Sequence, residues 1–325
     1  MQRLLNVPAS FFGIVVGMVG LGNCWRAASR LWQLPHLIGE ILMLIALTAW
    51  VVLLILYLAK WIWARPLAQA EFHHPVQCCF IGLAPVSTLL IALAALPYSH
   101  ELASVLFTIG AIGQLAFGVH RTGTLWTGGR DTADTSSVAF LPTVAGGFVT
   151  AIVAGALDEP IVGKLFFGAA LFSWFALESV VLRRLMETPT MAVPLRPTLG
   201  IHFAPPVVGC AAYLSITAGE PDMVALALFG YGLFQGLVLI RLLPWLCAAP
   251  LGPSYWAYTF ATTACSFVAI RFVERGLTGP MEWLALVLFV IANLVIGVIA
   301  IRTVWLLALG KLLPPLPPLA TPTTS

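Results

Sequence analysis

The chain has 325 residues, of which 60% are hydrophobic and only 9% charged, with a formal net charge of +3. Soluble domains hold roughly 45–50% apolar and about 25% charged residues, and a soluble fold cannot hide so large an apolar excess from water. The composition therefore excludes a water-soluble enzyme and a basic nucleic-acid binder, and implies a multi-pass membrane protein whose outer surface is solvated by lipid.

A bilayer crossing needs about 20 mainly apolar residues. Between charged and Pro/Gly-rich breaks the sequence offers ten such stretches: 9–28, 37–63, 78–97, 102–126, 139–157, 160–184, 199–217, 223–247, 254–273 and 282–310. The first reads as a crossing and not as a removable signal, because no small-residue cleavage site followed by a soluble domain comes after it. It carries Gly13, Gly17 and Gly20 on one helical face. Glu71, His73 and His74 precede the third stretch. Adjacent histidines point apart and no second pair completes a metal set, so this cluster reads as helix capping.

The third stretch contains Pro85, and the fifth has Pro142 followed by Gly146 and Gly147. In the sixth, Glu178 is the one carboxylate well inside an apolar run, with Arg183 and Arg241 as candidate partners. Such an acid is either a coupling group or a member of a structural ion pair. The seventh holds His202, Pro205 and Pro206, with His202 reading as a satisfied buried imidazole ahead of a pore-facing one. The ninth, "WAYTFATTACSF", supplies Phe260, Ala261, Thr263 and Phe267. Phe260, Thr263 and Phe267 share a helical face. The tail 313–325 is Pro-rich and reads as a disordered extension of a single membrane domain, 1–312.

Six cysteines form no CxxC pair and read as small core residues. No catalytic constellation and no cofactor or metal motif stands out, so neither an enzyme nor a bound cofactor is expected. With ten crossings, both termini lie on one side. Most of the sixteen Lys and Arg residues fall there, among them Arg3, Lys60, Arg65, Arg121, Arg130 and Arg196. Arg26, Arg30, Lys164, Arg271 and Arg275 fall opposite, together with acids such as Glu40, Asp158 and Asp222. The positive-inside rule makes the termini cytoplasmic and the location the bacterial inner membrane.

The stretches alternate in character. Odd-numbered ones carry glycine, proline and hydroxyls in their interiors; even-numbered ones are longer and uniformly greasy. The repeat unit is a helical hairpin of roughly 55–70 residues. Proline inside a crossing is tolerated only where protein or a water-filled cavity meets the freed backbone. Five odd helices inside and five even helices outside satisfy both observations. The small residues of the odd helices then serve close packing or line a lumen. The middle thirds of these helices hold no Lys or Arg, so an anion lumen would select through backbone dipoles and dehydration cost.

In order along the chain, "VPASFFGIVVGMVG", "EFHHPV", "FLPTVAGGFV", "FFGAALFSWFALESVVLRRL", "LGIHFAPPVV", "LFGYGLFQGLVLIRLLPW" and "WAYTF" resemble the tellurite-resistance/dicarboxylate transporter family. That family also includes fungal malate carriers and the plant guard-cell slow anion channel. The resemblance implies an all-α fold of ten helices as five hairpins with quasi-fivefold symmetry, an anion pore along the inner five, and a homotrimer with one pore per subunit. It implies that Phe260 plugs the pore, that Gly13 is the glycine of the first inner helix, and that Ala261 stands where the family usually has glycine. On this reading Gly13, Gly17, Pro85, Gly146, Gly147, Pro205, Ala261, Thr263 and Phe267 line the pore. Partners are small inorganic or dicarboxylate anions and the bilayer. A proton-coupled malate or dicarboxylate transporter using Glu178, and a non-transporting membrane scaffold, are the alternatives.

Overall fold

The computed structural model describes residues 4–129 and 131–313; Arg3, Arg130 and the Pro-rich tail from Pro314 lie outside them. The described residues are helical, with no strand among them. Nine helices among them are long and apolar enough to cross a bilayer. In chain order these are α1 (Ala9–Trp32), α2 (His36–Trp63), α3 (Gln77–Ala95), α4 (His100–Trp126), α5 (Ser137–Ala156), α6 (Pro160–Glu187), α7 (Val193–Ile216), α8 (Met223–Leu246) and, last, α10 (Pro280–Ala308). The expected ninth crossing is a 3-10 turn, Pro253–Tyr258, running into α9, Thr259–Glu274. Its α-helical part has only 16 residues and carries Thr, Ser and charged groups, so it falls outside the length and apolarity of the other nine. A short helix, Arg65–His73, not foreseen from the sequence, joins α2 to α3.

Two populations separate by burial. The most apolar windows of α1, α3, α5 and α7 are 67–83% buried within the chain, whereas those of α2, α4, α6, α8 and α10 are only 17–28% buried. In α9, Ala261, Thr263, Ala264, Cys265, Val268 and Ile270 are all buried. Small side chains let five helices approach closely enough to bury one another, and the leucine- and isoleucine-rich helices wrap them. Among the described residues, every exposed large apolar side chain apart from Leu4, Tyr98, Val193 and Leu309 lies on α2, α4, α6, α8 or α10. A patch of that extent is incompatible with water and natural in lipid. Exposed aromatics mark its two rims: Trp63, Trp126 and Trp305 on the terminus side, Tyr98 and Trp283 opposite.

The inner elements form a closed ring. Helix α1 packs on α3, α3 on α5, α5 on α7, α7 on α9, and α9 back on α1. Each is backed by the helix that follows it in sequence. Because every inner helix is separated from the next by one returning outer helix, all five run in the same direction. Each opens with irregular turns: Ala9–Phe11, Gln77–Gly82, Ser137–Phe140, Val193–Thr198 and Pro253–Tyr258 are 3-10, and Leu141–Ala145 is a π-turn around Pro142. Proline lacks an N–H and clashes with the preceding turn, which accounts for the π-turn. It also accounts for the interruption at Phe203 ahead of Pro205 and Pro206.

Buried polar contacts fasten the ring at its terminus side. Lys60 of α2 pairs with Glu71 at 2.7 Å, both nearly inaccessible at 3% and 8% exposure. The other Glu71 oxygen accepts the Ala9 N–H at the start of α1, at 2.8 Å. His74 Nδ1 accepts the N–H groups of Val76 and Gln77 at 3.1 Å, closing the start of α3. Glu71 and His74 therefore hold two helix starts, whereas His73 Nδ1 meets the Gln69 carbonyl of its own short helix at 2.8 Å.

Candidate functional site

The ring encloses a cavity of about 180 Å³ to which all five inner segments contribute. A water needs only about 10–15 Å³ of such space, so the cavity has room for a small hydrated ion. Its mouth lies among the helix starts on the terminus side, where exposed Pro194 and Ser254 form part of the rim. Ser10, Gln77, Thr198 and Ser254 give the mouth a polar lining; Val16, Val86, Phe148, Val208 and Phe260 form the deeper, apolar wall. Among the described residues, no Lys, Arg, His, Asp or Glu borders it.

What can such a tube hold? The first N–H groups of a helix lack intrahelical partners, and a helix N-terminus carries about half a positive charge. Five parallel starts surround one mouth, so the fixed dipoles there favour an anion without presenting a cation that would trap it. The apolar wall deeper in makes dehydration costly, which favours weakly hydrated anions over divalent or strongly hydrated ones.

Phe260 sits at the inner end of the wall contributed by α9. Its ring lies over Gly20 of α1, where a methyl group would come within 3.3 Å of Cδ2. Two expected residues join it at the cavity, Gly13 and Pro205. The others are placed elsewhere. Gly17 faces Thr259 so closely that a Cβ would lie 2.2 Å from its hydroxyl, and Gly20 faces Thr263 in the same way. The glycine face of α1 below Gly13 is thus the seam with α9. Gly146 makes room for the Gln114 side chain of α4, and Gly147 for Ala170 of α6. Pro85 lies against Gly113 of α4. Ala261 and Thr263 are fully buried, Thr263 donating to the Thr259 and Phe260 carbonyls. Phe267, two turns beyond Phe260, packs on the core and is not part of the cavity wall.

Glu178 finds partners other than those expected. Arg183 pairs with Glu187 at 2.7 Å on the exposed face, and Arg241 is exposed. Instead His202 Nε2 lies 3.3 Å from Glu178 Oε1. Tyr231 and Gln235 donate to the same oxygen at 2.8 and 3.2 Å, and Trp174 donates to Oε2 at 2.9 Å. The arginines lie past the apolar centre, where long side chains reach water at little cost. The imidazole is fixed at the same depth as the acid.

Sequence reasoning also missed the buried Gln114, whose amide donates to the Pro142 carbonyl at 2.5 Å and so satisfies the backbone beside the π-turn. A glutamine inside an otherwise greasy outer helix was its visible signal.

These features define a class: a multi-pass helical membrane protein with an internal cavity that, among the described residues, no charged side chain borders. The family model for the voltage-dependent anion channel, SLAC1, matches residues 6–304. The chain is 32% identical over 306 residues, 94% of its own length and 92% of the relative's, to the tellurite resistance protein TehA homolog of Haemophilus influenzae. It is 24% identical over 280 residues to the S-type anion channel SLAH2 of Arabidopsis thaliana, spanning 54% of that longer protein. An uncharacterized transporter, MJ0576, of Methanocaldococcus jannaschii is 25% identical over 234 residues, 64% of this chain and 67% of the relative. The chain belongs to the SLAC1 voltage-dependent anion channel family, whose members are channels and transporters and not enzymes.

Proposed function

We propose that the protein is a TehA-like anion channel or facilitator in which Phe260 closes a pore running along the inner ring. On this reading residues 1–312 form one membrane domain whose ten helices are five hairpins related by quasi-fivefold symmetry. The observation that carries the proposal is the charge-free cavity built by all five inner segments, with Phe260 at its inner end. Ions enter at the ring of helix starts, lose water along the apolar wall, and stop at the aromatic ring. Gly13 and Pro205 line the entered half. Phe267 lies beyond the ring, on the stretch that would line the path once Phe260 swings aside. Gly17, Pro85, Gly146, Gly147, Ala261 and Thr263 shape the pore from behind by setting how closely the helices approach. Ala261 stiffens the backbone next to the gate where a glycine would loosen it.

The substrates are small anions. Tellurite resistance, suggested by the Haemophilus relative's name, follows from passage of an oxyanion, and C4-dicarboxylates are the larger cargo that the family resemblance implies. The excess of Lys and Arg on the terminus side supports cytoplasmic termini in a bacterial inner membrane, and the resemblance supports a homotrimer with one pore per subunit. Proteoliposomes holding purified protein and loaded with chloride, nitrate or malate test the reading. A facilitator releases nitrate and chloride down their gradients at equal pH on both sides. Release of malate alone, and only with an imposed pH gradient, would favour the coupled-transporter reading; no release of any anion would contradict both.

A further inference from the structure

The contacts around Glu178 carry more than a structural ion pair. An ionised carboxylate accepts about four hydrogen bonds; this one accepts three, from Trp174, Tyr231 and Gln235, and has His202 Nε2 3.3 Å from Oε1. These contacts suit a carboxylate acceptor, and the 3.3 Å approach of Nε2 assigns the imidazole proton to that nitrogen, toward Glu178. The other imidazole nitrogen, Nδ1, is buried and has no hydrogen-bond partner among the described residues. His202 is flanked by the cavity-wall residues Ile201 and Ala204. Its ring lies 5.6 Å from that of Phe140, also part of the wall. The pair sits one side chain behind the conduit.

We propose that Nδ1 of His202 is a proton-binding site that sets how readily anions pass the cavity. This rests on the pore reading above. With Nδ1 bare, the pair carries one net negative charge behind the Phe140 wall and repels an anion in the lumen. With Nδ1 protonated, imidazolium and carboxylate cancel and the repulsion disappears. No proton need cross the membrane with the anion. The other titratable groups facing the pair are phenols: Tyr231 from α8, donating to Glu178, and Tyr258, which packs on Gly200 two residues before His202. Neither changes charge near neutral pH. No further ion pair reaches either residue among the described residues.

The test is nitrate efflux from proteoliposomes at equal internal and external pH, stepped from 8 to about 5 across the usual imidazole range. Wild-type efflux rises about tenfold as pH falls, the size expected for one unit charge facing an ion across a protein wall. Glu178→Gln is fast at every pH, because the repelling charge is gone. His202→Gln is slow at every pH, because the charge is never cancelled. A loss of fit alone would move both variants in the same direction, and that result overturns the proposal. A flat wild-type profile overturns it too, even if a variant fails to insert, and leaves the pore reading standing. Stoichiometric proton movement with nitrate, read by an internal pH dye, overturns it in favour of coupled transport. Absence of efflux from every form overturns the pore reading and this inference with it.

Discussion

At the residue scale, Gly13 is the most direct probe of the cavity wall. A methyl group there meets Trp256 Cβ at 3.5 Å, ordinary contact, so Gly13→Ala is tolerated. Gly13→Asp places an unpaired carboxylate in the lumen. At a few ångströms and an effective dielectric of about 20, its repulsion of an anion is about 4 kcal/mol, so anion efflux falls at least about tenfold while expression and insertion persist. Asp222 probes the loop end of α8. Its carboxylate is held below the usual range by the Tyr213 hydroxyl and then by the N–H groups of Ala225 and Val224, which it caps. A depressed folded-state value means the stabilisation is full above the ordinary aspartate range and is lost as pH falls through the folded value. Asp222→Ala therefore lowers the melting temperature by about 2 °C at pH 7, and the gap to wild type narrows in acid. A gap independent of pH would assign the effect to helix propensity alone.

At the element scale, the helix ends were legible because charges, prolines and glycines punctuate the chain: expected 37–63 is observed as His36–Trp63, and 160–184 as Pro160–Glu187. The alternation of small and greasy helices was legible too, since burial follows side-chain size. What the sequence did not distinguish was the two uses of a glycine. Gly13 and Gly17 share a face, yet one borders the cavity and the other the Thr259 seam; a turn of helix decides which, and only the crossing of α1 with α9 fixes that. Gly17→Val therefore acts on packing. Its side chain meets Thr259, overpacking costs about 1–3 kcal/mol, and thermal unfolding in detergent shifts down with expression reduced. Unchanged unfolding would show that the α1–α9 seam is looser than described. Glu178 was legible as an unusual acid, but its partner was not, because His202 approaches from the inner helix of the next hairpin. Glu71→Ala tests the terminus-side fastening: it strands the buried Lys60 charge and the Ala9 N–H. Breaking such a pair costs about 3–5 kcal/mol, read as loss of monodisperse protein on size exclusion, with Lys60→Met partly restoring it.

At the scale of the whole molecule, two solvents shape one architecture. Lipid outside selects five greasy helices, and close packing around an internal cavity selects five helices with small residues and interrupted backbones. Running all five in parallel aims their N-termini at one mouth, so on the proposed function selectivity for anions comes from backbone dipoles and not from side-chain charge. The proposed function turns on Phe260, at the inner end of the cavity wall contributed by α9. Voltage-clamped planar bilayers holding the purified protein, wild type against Phe260→Ala, measure it directly. The wild type carries a small anion current, and Phe260→Ala carries one at least about tenfold larger whose reversal potential follows the anion gradient. Equal currents from the two, or a mutant current that follows the cation gradient, would contradict the proposed function.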